Sequence, residues 1–256
     1  EGAFDEAIRH SITKMSQLHF VTNKESEKRV HQLGEDPENI HLVGNPGLDH
    51  LNSLKLMEKN ELEKSLRYSF KSQNILVTFH SVTLDNAPAV NSFSALLEAL
   101  DSLGEDIGII FTRPNADTEG RQLIKMLDEY VEDRSNCIAY TSLGQLRYLS
   151  TVALVDVVVG NSSSGILEVP SLKTATVNIG DRQKGRLRAD SIIDCEPITE
   201  NIKESIQQAF KLDCSTVVNP YGDGNTTERV LKVLREINHP ERLIKKHFYD
   251  IDFEYS

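Results

Sequence analysis

The sequence predicts an α/β protein built on a doubly wound parallel sheet, and three observations carry that expectation. Short apolar runs alternate with amphipathic stretches of helical period. One run, residues 152–159, is apolar but for Asp156, as a parallel strand covered on both faces must be. Glycines and small polar residues follow the runs, where a parallel strand turns into its crossover helix. The 256 residues are 39% apolar, enough for one large or two medium units with cores of their own.

The elements follow in order. Residues 5–15 read as an amphipathic helix with Ile8, Ile12 and Met15 on one face. Residues 18–21 read as a short strand, 24–33 as a helix and 40–43 as a second strand. Gly44-Asn45-Pro46-Gly47 interrupts the pattern, and two glycines and a proline in four residues make a linker. Strands at 75–79, 107–111, 137–140 and 154–159 are then followed by helices at 88–103, 119–132, 143–149 and after Gly165. A strand at 175–179, a short one near 191–194 and a helix at 202–210 complete the layer. A last helix, 226–237, leads into a charged, aromatic tail over 242–255.

Charge and cysteines narrow the partners. A net charge of -11, with no basic cluster to offset it, argues against a nucleic-acid surface. An anionic ligand would need local positive groups, so the few well-placed Arg and His residues are informative. Cys137, Cys195 and Cys214 are odd in number and widely spaced, which excludes a disulfide framework or zinc knuckle and fits a reducing cytoplasm. No run approaches the length of a membrane span and none has the make-up of a signal peptide, so no membrane partner is expected. A sequence that begins Glu1-Gly2 and enters a helical pattern at once reads as a piece of something longer, or as a processed or trimmed chain.

The stretch around which the rest is organised is Gly160-Asn161-Ser162-Ser163-Ser164-Gly165. A strand turning sharply into a helix leaves backbone N–H groups unpaired, and these suit a phosphate. Gly160 and Gly165 let the backbone approach a ligand, and three hydroxyls add donors. Glu168, about one turn into the helix, is placed to accept hydrogen bonds from sugar hydroxyls. The alternative is an ordinary strand–helix turn in which a serine is the N-cap.

Three more crossings aim polar groups at the same sheet edge, where open α/β sheets bind ligands. His80 follows the strand at 75–79, Arg113-Pro114-Asn115 follows 107–111, and residues 180–186 follow 175–179. His80 is either a solvated turn residue or, titrating near neutrality, a partner for a diphosphate leaving group. Asn115 either starts the next helix or joins the site. Arg182, with Lys184, Arg186 and Arg188, lies in the densest positive stretch of an acidic chain, and phosphate contact is preferred to a merely solvated basic loop. Tyr221-Gly222-Asp223-Gly224-Asn225 has the turn chemistry of a helix cap, and its default role is structural, with a share of the ligand edge as the alternative.

Taken together, Gly160-Asn161-Ser162-Ser163-Ser164-Gly165-x-x-Glu168, Asn178-x-Gly180-x-Arg182-Gln183-x-Gly185-Arg186 and Tyr221-Gly222-Asp223-Gly224-Asn225 resemble the UDP-N-acetylglucosamine 2-epimerases. The hydrolysing branch, which makes N-acetylmannosamine for sialic acid synthesis, is the nearest look. The opening Glu1-Gly2-x-x-Asp5-Glu6-x-Ile8-Arg9-His10-x-Ile12-Thr13-Lys14 and His80 at its strand end are similar to that branch. The resemblance covers nearly the whole chain and implies a GT-B-like arrangement of two Rossmann-like domains. It implies that most of the N-terminal domain is absent here. Residues 1–45 would be the last segment of that domain, 46–238 the UDP-binding domain, and 239–256 a tail packing back toward the first.

The chemistry implied is an anti elimination that removes the C2 proton and expels UDP from C1, giving a 2-acetamidoglucal that water then hydrates. No cofactor and no metal are implied, in keeping with the absence of a GxGxxG turn. By motif, Ser162 and Ser163 would hold the diphosphate with Arg182 nearby, Glu168 would take the ribose hydroxyls, and Asn115 would lie close to the uracil. His80 would face the β-phosphate and help UDP depart. Glu6 matches a carboxylate of the family's acid/base work; its residue type at a helix start suits the dipole equally well. Partners are UDP-N-acetylglucosamine and UDP, and a homodimer or homotetramer is implied. Two alternatives stay open: an epimerase that returns UDP to C1, or one acting on a 2,4-diacetamido sugar nucleotide; and a non-catalytic nucleotide-sugar-binding module.

Overall fold

The structure, a computed structural model, describes residues 5–81, 89–114 and 118–251. The chain forms two compact units, one of Glu1–Ser53 with Asn219–Ser256 and the other of Leu54–Val218. The first begins with helix α1 (Asp5–Met15), whose apolar residues Ile8, Ile12 and Met15 are exposed. Strand β1 (His19–Val21), helix α2 (Lys24–Gln32) and strand β2 (Ile40–Leu42) follow, with β1 and β2 paired in parallel. Asn23 caps α2 by accepting from the Ser26 N–H at 2.9 Å.

The expected linker at 44–47 is instead an ordered turn. Asn45 caps a 3-10 turn, Pro46–Leu48, by accepting from the Gly47 N–H at 2.9 Å, and its own N–H donates to the Tyr221 carbonyl at 2.7 Å. Helix α3 (Asp49–Ser53) ends this segment of the first unit.

The second unit holds the parallel sheet. Helix α4 (Lys59–Leu66) precedes strand β3 (Gln73–Thr78), helix α5 (Ala89–Asp101), strand β4 (Ile107–Thr112), helix α6 (Thr118–Glu132) and strand β5 (Cys137–Tyr140). Then come helix α7 (Gly144–Leu154), strand β6 (Val157–Gly160), helix α8 (Ser163–Leu167), strand β7 (Ala175–Ile179), strand β8 (Ile192–Cys195) and helix α9 (Thr199–Ala209). The six strands are all parallel, in the order β5-β4-β3-β6-β7-β8.

Side-chain alternation splits each strand between two cores. Ile75, Val77, Ile109, Phe111, Val157 and Val159 face a layer with Phe93 and Leu96 of α5, Leu123 of α6 and Ile202 of α9. Leu76, Ile110 and Val158 face Leu62 and Leu66 of α4 and Val152 of α7 on the other side. Helices on both faces explain the near-continuous apolar strands.

Two expectations needed correction here. The apolar run at 152–159 serves two elements, because Val152 and Leu154 end α7 and only Val157–Gly160 is strand. Asp156 breaks the run: its carboxylate accepts from the Asn74 N–H at 2.7 Å, and its N–H donates to the Asn74 carbonyl at 3.0 Å. Helix α4 went unforeseen, since only Leu62 and Leu66 of its eight residues are buried.

The chain then returns to the first unit with helix α10 (Thr226–Glu236). Asn225 makes no side-chain cap; Asp49 does, accepting from the Thr226 N–H at 2.9 Å and the Thr227 N–H at 2.6 Å. Asp223 pairs with Arg229 at 2.7 Å, and that hydrogen bond holds its carboxyl at about 2.

Further along, the tail meets Glu35, which is 3% exposed and held by Lys14 at 2.6 Å, Lys246 at 2.6 Å and His19 at 2.9 Å. Burial alone would raise its pKa, but hydrogen bonds from Lys14, Lys246 and His19 outweigh burial and hold it below the ordinary value. Because the folded pKa is depressed, this stabilisation is present above the unfolded carboxyl's pKa and is lost as pH falls through the folded one. Glu35→Gln, which leaves two ammonium groups without their carboxylate, is expected to cost roughly 2–4 kcal/mol at neutral pH. Its Tm should also depend less on acid than the parent's does. Parent and Glu35→Gln melting curves that superimpose on each other at both acid and neutral pH would show that the cluster contributes nothing.

Candidate functional site

The strand order reverses between β3 and β6. From β3 the chain winds outward through β4 and β5, and from β6 it winds the other way through β7 and β8. Adjacent crossovers that leave in opposite directions open a crevice beyond the carboxyl ends of the two strands. His80 and the serine loop stand at those two ends.

Hydrogen bonds tie the two ends together through Asn161. Its carboxamide accepts from the His80 N–H at 2.8 Å and donates to the His80 carbonyl at 2.8 Å. Its backbone N–H donates to the Thr78 carbonyl at 3.2 Å. The third strand end joins through the Asn161 carbonyl, which accepts from Arg182 Nη1 at 3.1 Å and from Gln183 Nε2 at 2.8 Å. The loops after β3, β6 and β7 thus meet at one residue, and they bring together His80, the serines and Arg182.

The glycines of the loop make close packing possible. A Cβ on Gly160 would lie 2.0 Å from the Thr78 carbonyl oxygen, and one on Gly165 would lie 2.9 Å from the Thr176 methyl. Ser162 is the N-cap of α8, its Oγ accepting from the Ser164 N–H at 3.4 Å, so the capping alternative is realised at that atom. A hydroxyl that accepts there still has its proton to donate. Glu168 ends α8 rather than lying within it, because Pro170 opens a 3-10 turn, Val169–Leu172.

Charge in the β7 loop is sorted by pairing. Lys184 faces Asp181 at 3.8 Å and Arg188 pairs with Asp194 at 2.9 Å, whereas Arg182 and Arg186 have no carboxylate partner among the described residues. Desolvation, and then the like charge of Arg186, lowers the pKa of Arg182, which remains a cation at neutral pH. Arg113 is spent structurally, on Asp128 at 2.7 Å and the Ala139 carbonyl at 3.1 Å. Beside the loop, burial lifts the Tyr148 phenol to about 12, with Ser164 and Thr78 as its polar neighbours.

The sequence model describing UDP-N-acetylglucosamine 2-epimerase matches residues 1–235. The chain belongs to that family. A GDP/UDP-N,N′-diacetylbacillosamine 2-epimerase (hydrolyzing) of Campylobacter jejuni is 35% identical to this epimerase-family chain over 98% of it and 66% of that protein. A polysialic acid biosynthesis protein P7 of Escherichia coli is 37% identical over 97% of it and 64% of that protein. The crystal structure of a Neisseria meningitidis UDP-GlcNAc 2-epimerase bound to UDP-GlcNAc is similar at a TM-score of 0.68 and 19% identity, covering 92% of this chain and 65% of that one. The shared fold is of the GT-B-like α/β class. The chain spans about two thirds of the length of the curated relatives it matches.

Of the site residues expected in this family member, Asn115 lies outside the described residues. Glu6 is on α1 in the first unit, half-buried, with Arg9 and His10 of the same helix each at 3.6 Å. Asn161 and Gln183 stood inside the motifs but were given no role, and Tyr148 was not foreseen; beyond the motif, the signal for Asn161 was a carboxamide directly after a buried strand. All three cysteines are free, and burial pushes the Cys137 and Cys195 thiols up to about 11, which keeps them unreactive near neutrality. Among the described residues no cluster of His, Cys, Asp or Glu could hold a metal ion, and no helix is long and apolar enough to cross a membrane.

Proposed function

We propose that the protein of which this chain is part is a hydrolysing UDP-N-acetylglucosamine 2-epimerase. The observation that carries the reading is the meeting of His80, the serine loop and Arg182 at the strand-order reversal, tied through Asn161. Serine O–H donors and a cation without a carboxylate partner suit a diphosphate, and Arg182 offers a planar fork to it. In this reading Ser162, Ser163 and Arg182 hold the diphosphate, Glu168 takes the ribose hydroxyls and Asn115 lies near the uracil. A base removes the C2 proton, with Glu6 as a contributor to that acid/base work. The C1–O bond then breaks with its electron pair leaving on UDP, and His80 meets the charge developing on the β-phosphate. Water adds to the resulting double bond, its proton to C2 and its hydroxyl to C1.

The domain roles follow the same reading: the sheet unit is the UDP-binding domain, and the other unit holds the closing segment of a first Rossmann-like domain. A cytoplasmic homodimer or homotetramer is the proposed form. The likeness to the Campylobacter N,N′-diacetylbacillosamine epimerase favours a second substrate, a 2,4-diacetamido sugar nucleotide.

Incubating the intact protein with each sugar nucleotide in D2O, followed by NMR, tests both points. Free UDP rising with turnover and deuterium at C2 of the released sugar are expected. Deuterium in a retained UDP-sugar, with no net UDP release, would assign the non-hydrolysing reaction. Tight UDP binding with neither signal would leave a binding module.

A further inference from the structure

The geometry points to Asn161 as the positioning residue that sets His80 against Arg182, making the leaving-group partner and the diphosphate-holding cation one rigid unit. The inference rests on the epimerase reading of this site and adds to it a residue that acts only through others.

Asn161 is 2% exposed, yet all four of its polar groups are used. The backbone N–H goes to Thr78, the carboxamide makes both bonds to the His80 backbone, and the carbonyl receives Arg182 and Gln183. The first three bonds extend the β3–β6 pairing one step beyond its last register pair, Thr78↔Gly160. The last two reach across to the β7 loop. Gln183, 3% exposed, donates to the same carbonyl, so the β7 loop is anchored at Asn161 by two side chains.

The carboxamide is chemically specific here. It faces one donor and one acceptor, the N–H and C=O of the same residue, so it must present one acceptor and one donor in a fixed orientation. Alanine offers neither. An ionised carboxylate offers two acceptors and sets one of them against the His80 carbonyl, whereas the neutral acid again offers one of each.

The test compares Asn161→Ala, Asn161→Asp, His80→Ala and the double variant Asn161→Ala/His80→Ala in the intact protein. It measures UDP affinity by calorimetry, turnover of UDP-N-acetylglucosamine and hydrogen exchange of the His80 amide. Asn161→Ala is expected to lower kcat about 10–100-fold with a smaller rise in KM, and to add less than about 3-fold to the loss already caused by His80→Ala. For Asn161→Asp, UDP affinity relative to the parent should recover as pH falls and the carboxyl protonates, a dependence that a purely structural defect would not give.

Fully additive losses in the double variant, or a pH-independent affinity ratio for Asn161→Asp, would overturn the assignment. If the alanine variant does not fold, the aspartate variant carries the test alone. If the parent neither binds UDP nor turns over the sugar nucleotide, the epimerase reading falls, and the positioning claim is decided by amide exchange. There, faster exchange of the His80 amide in Asn161→Asp than in the parent at neutral pH, with the flanking strand amides unchanged, is required, and equal His80 rates in the two proteins overturn it.

Discussion

Gly160→Ala is expected to destabilise the sheet unit by about 3 kcal/mol or more, a large share of the stability of an ordinary domain. Two costs coincide at this position. Its φ of 139° is one that L residues rarely adopt, and a Cβ there would lie 2.0 Å from the Thr78 carbonyl oxygen and 2.7 Å from its carbon. Those atoms belong to the neighbouring strand's backbone in the register pair Thr78↔Gly160, so no rotamer can relieve the contact. The strands must part, and the Asn161 N–H bond to Thr78 at 3.2 Å is the first casualty. Gly104→Ala is the internal control. That glycine also has positive φ, 89°, but an added Cβ meets nothing within 4 Å, so it bears backbone strain alone, about 1 kcal/mol. Urea midpoints separate the two cases; equal shifts would mean that the close approach costs nothing.

The fold was legible where periodicity is strong and fades where packing decides. Strands β4, β5 and β7 lie within a residue of their sequence-predicted positions, and β3 within two, because parallel strands covered on both faces are apolar along their length. The junction of α7 and β6 was misread for the same reason: Val152 is as buried in a helix as Val157 is in a strand, so apolarity cannot mark the boundary. Helix α4 gives no amphipathic signal beyond Leu62 and Leu66, and the Asp49 cap of α10 joins residues far apart in sequence. At the site, the four crossings and their polar residues were visible because β–α turns have characteristic chemistry. The tie through Asn161 was not, since nothing local says which backbone a carboxamide will face. Arg113 and Arg182 look alike in sequence, each in the loop after a strand. Only Asp128, a residue of α6, reveals that the first is already paired.

That difference in pairing makes Arg182→Ala the variant with the largest expected effect on ligand binding. UDP affinity should fall by roughly 1–3 kcal/mol, or about 5- to 150-fold in Kd, the range for losing a charge-assisted hydrogen bond to a phosphate. The guanidinium's one hydrogen bond within the described structure goes to the Asn161 carbonyl at 3.1 Å, which leaves further N–H donors for an anion. Arg182→Lys keeps the charge but loses the fork, and should recover only part of the affinity. Lys184→Ala is the control, since Lys184 is exposed and already faces Asp181 at 3.8 Å, and it should change little. Ser162→Ala should cost less than Arg182→Ala, because its oxygen is partly engaged by the Ser164 N–H and it brings no charge. Raising the salt concentration should shrink the gap between parent and Arg182→Ala while leaving the Ser162→Ala deficit nearly unchanged. UDP affinity unchanged in both Arg182→Ala and Ser162→Ala would remove the diphosphate from this crevice, whatever the family to which the chain belongs.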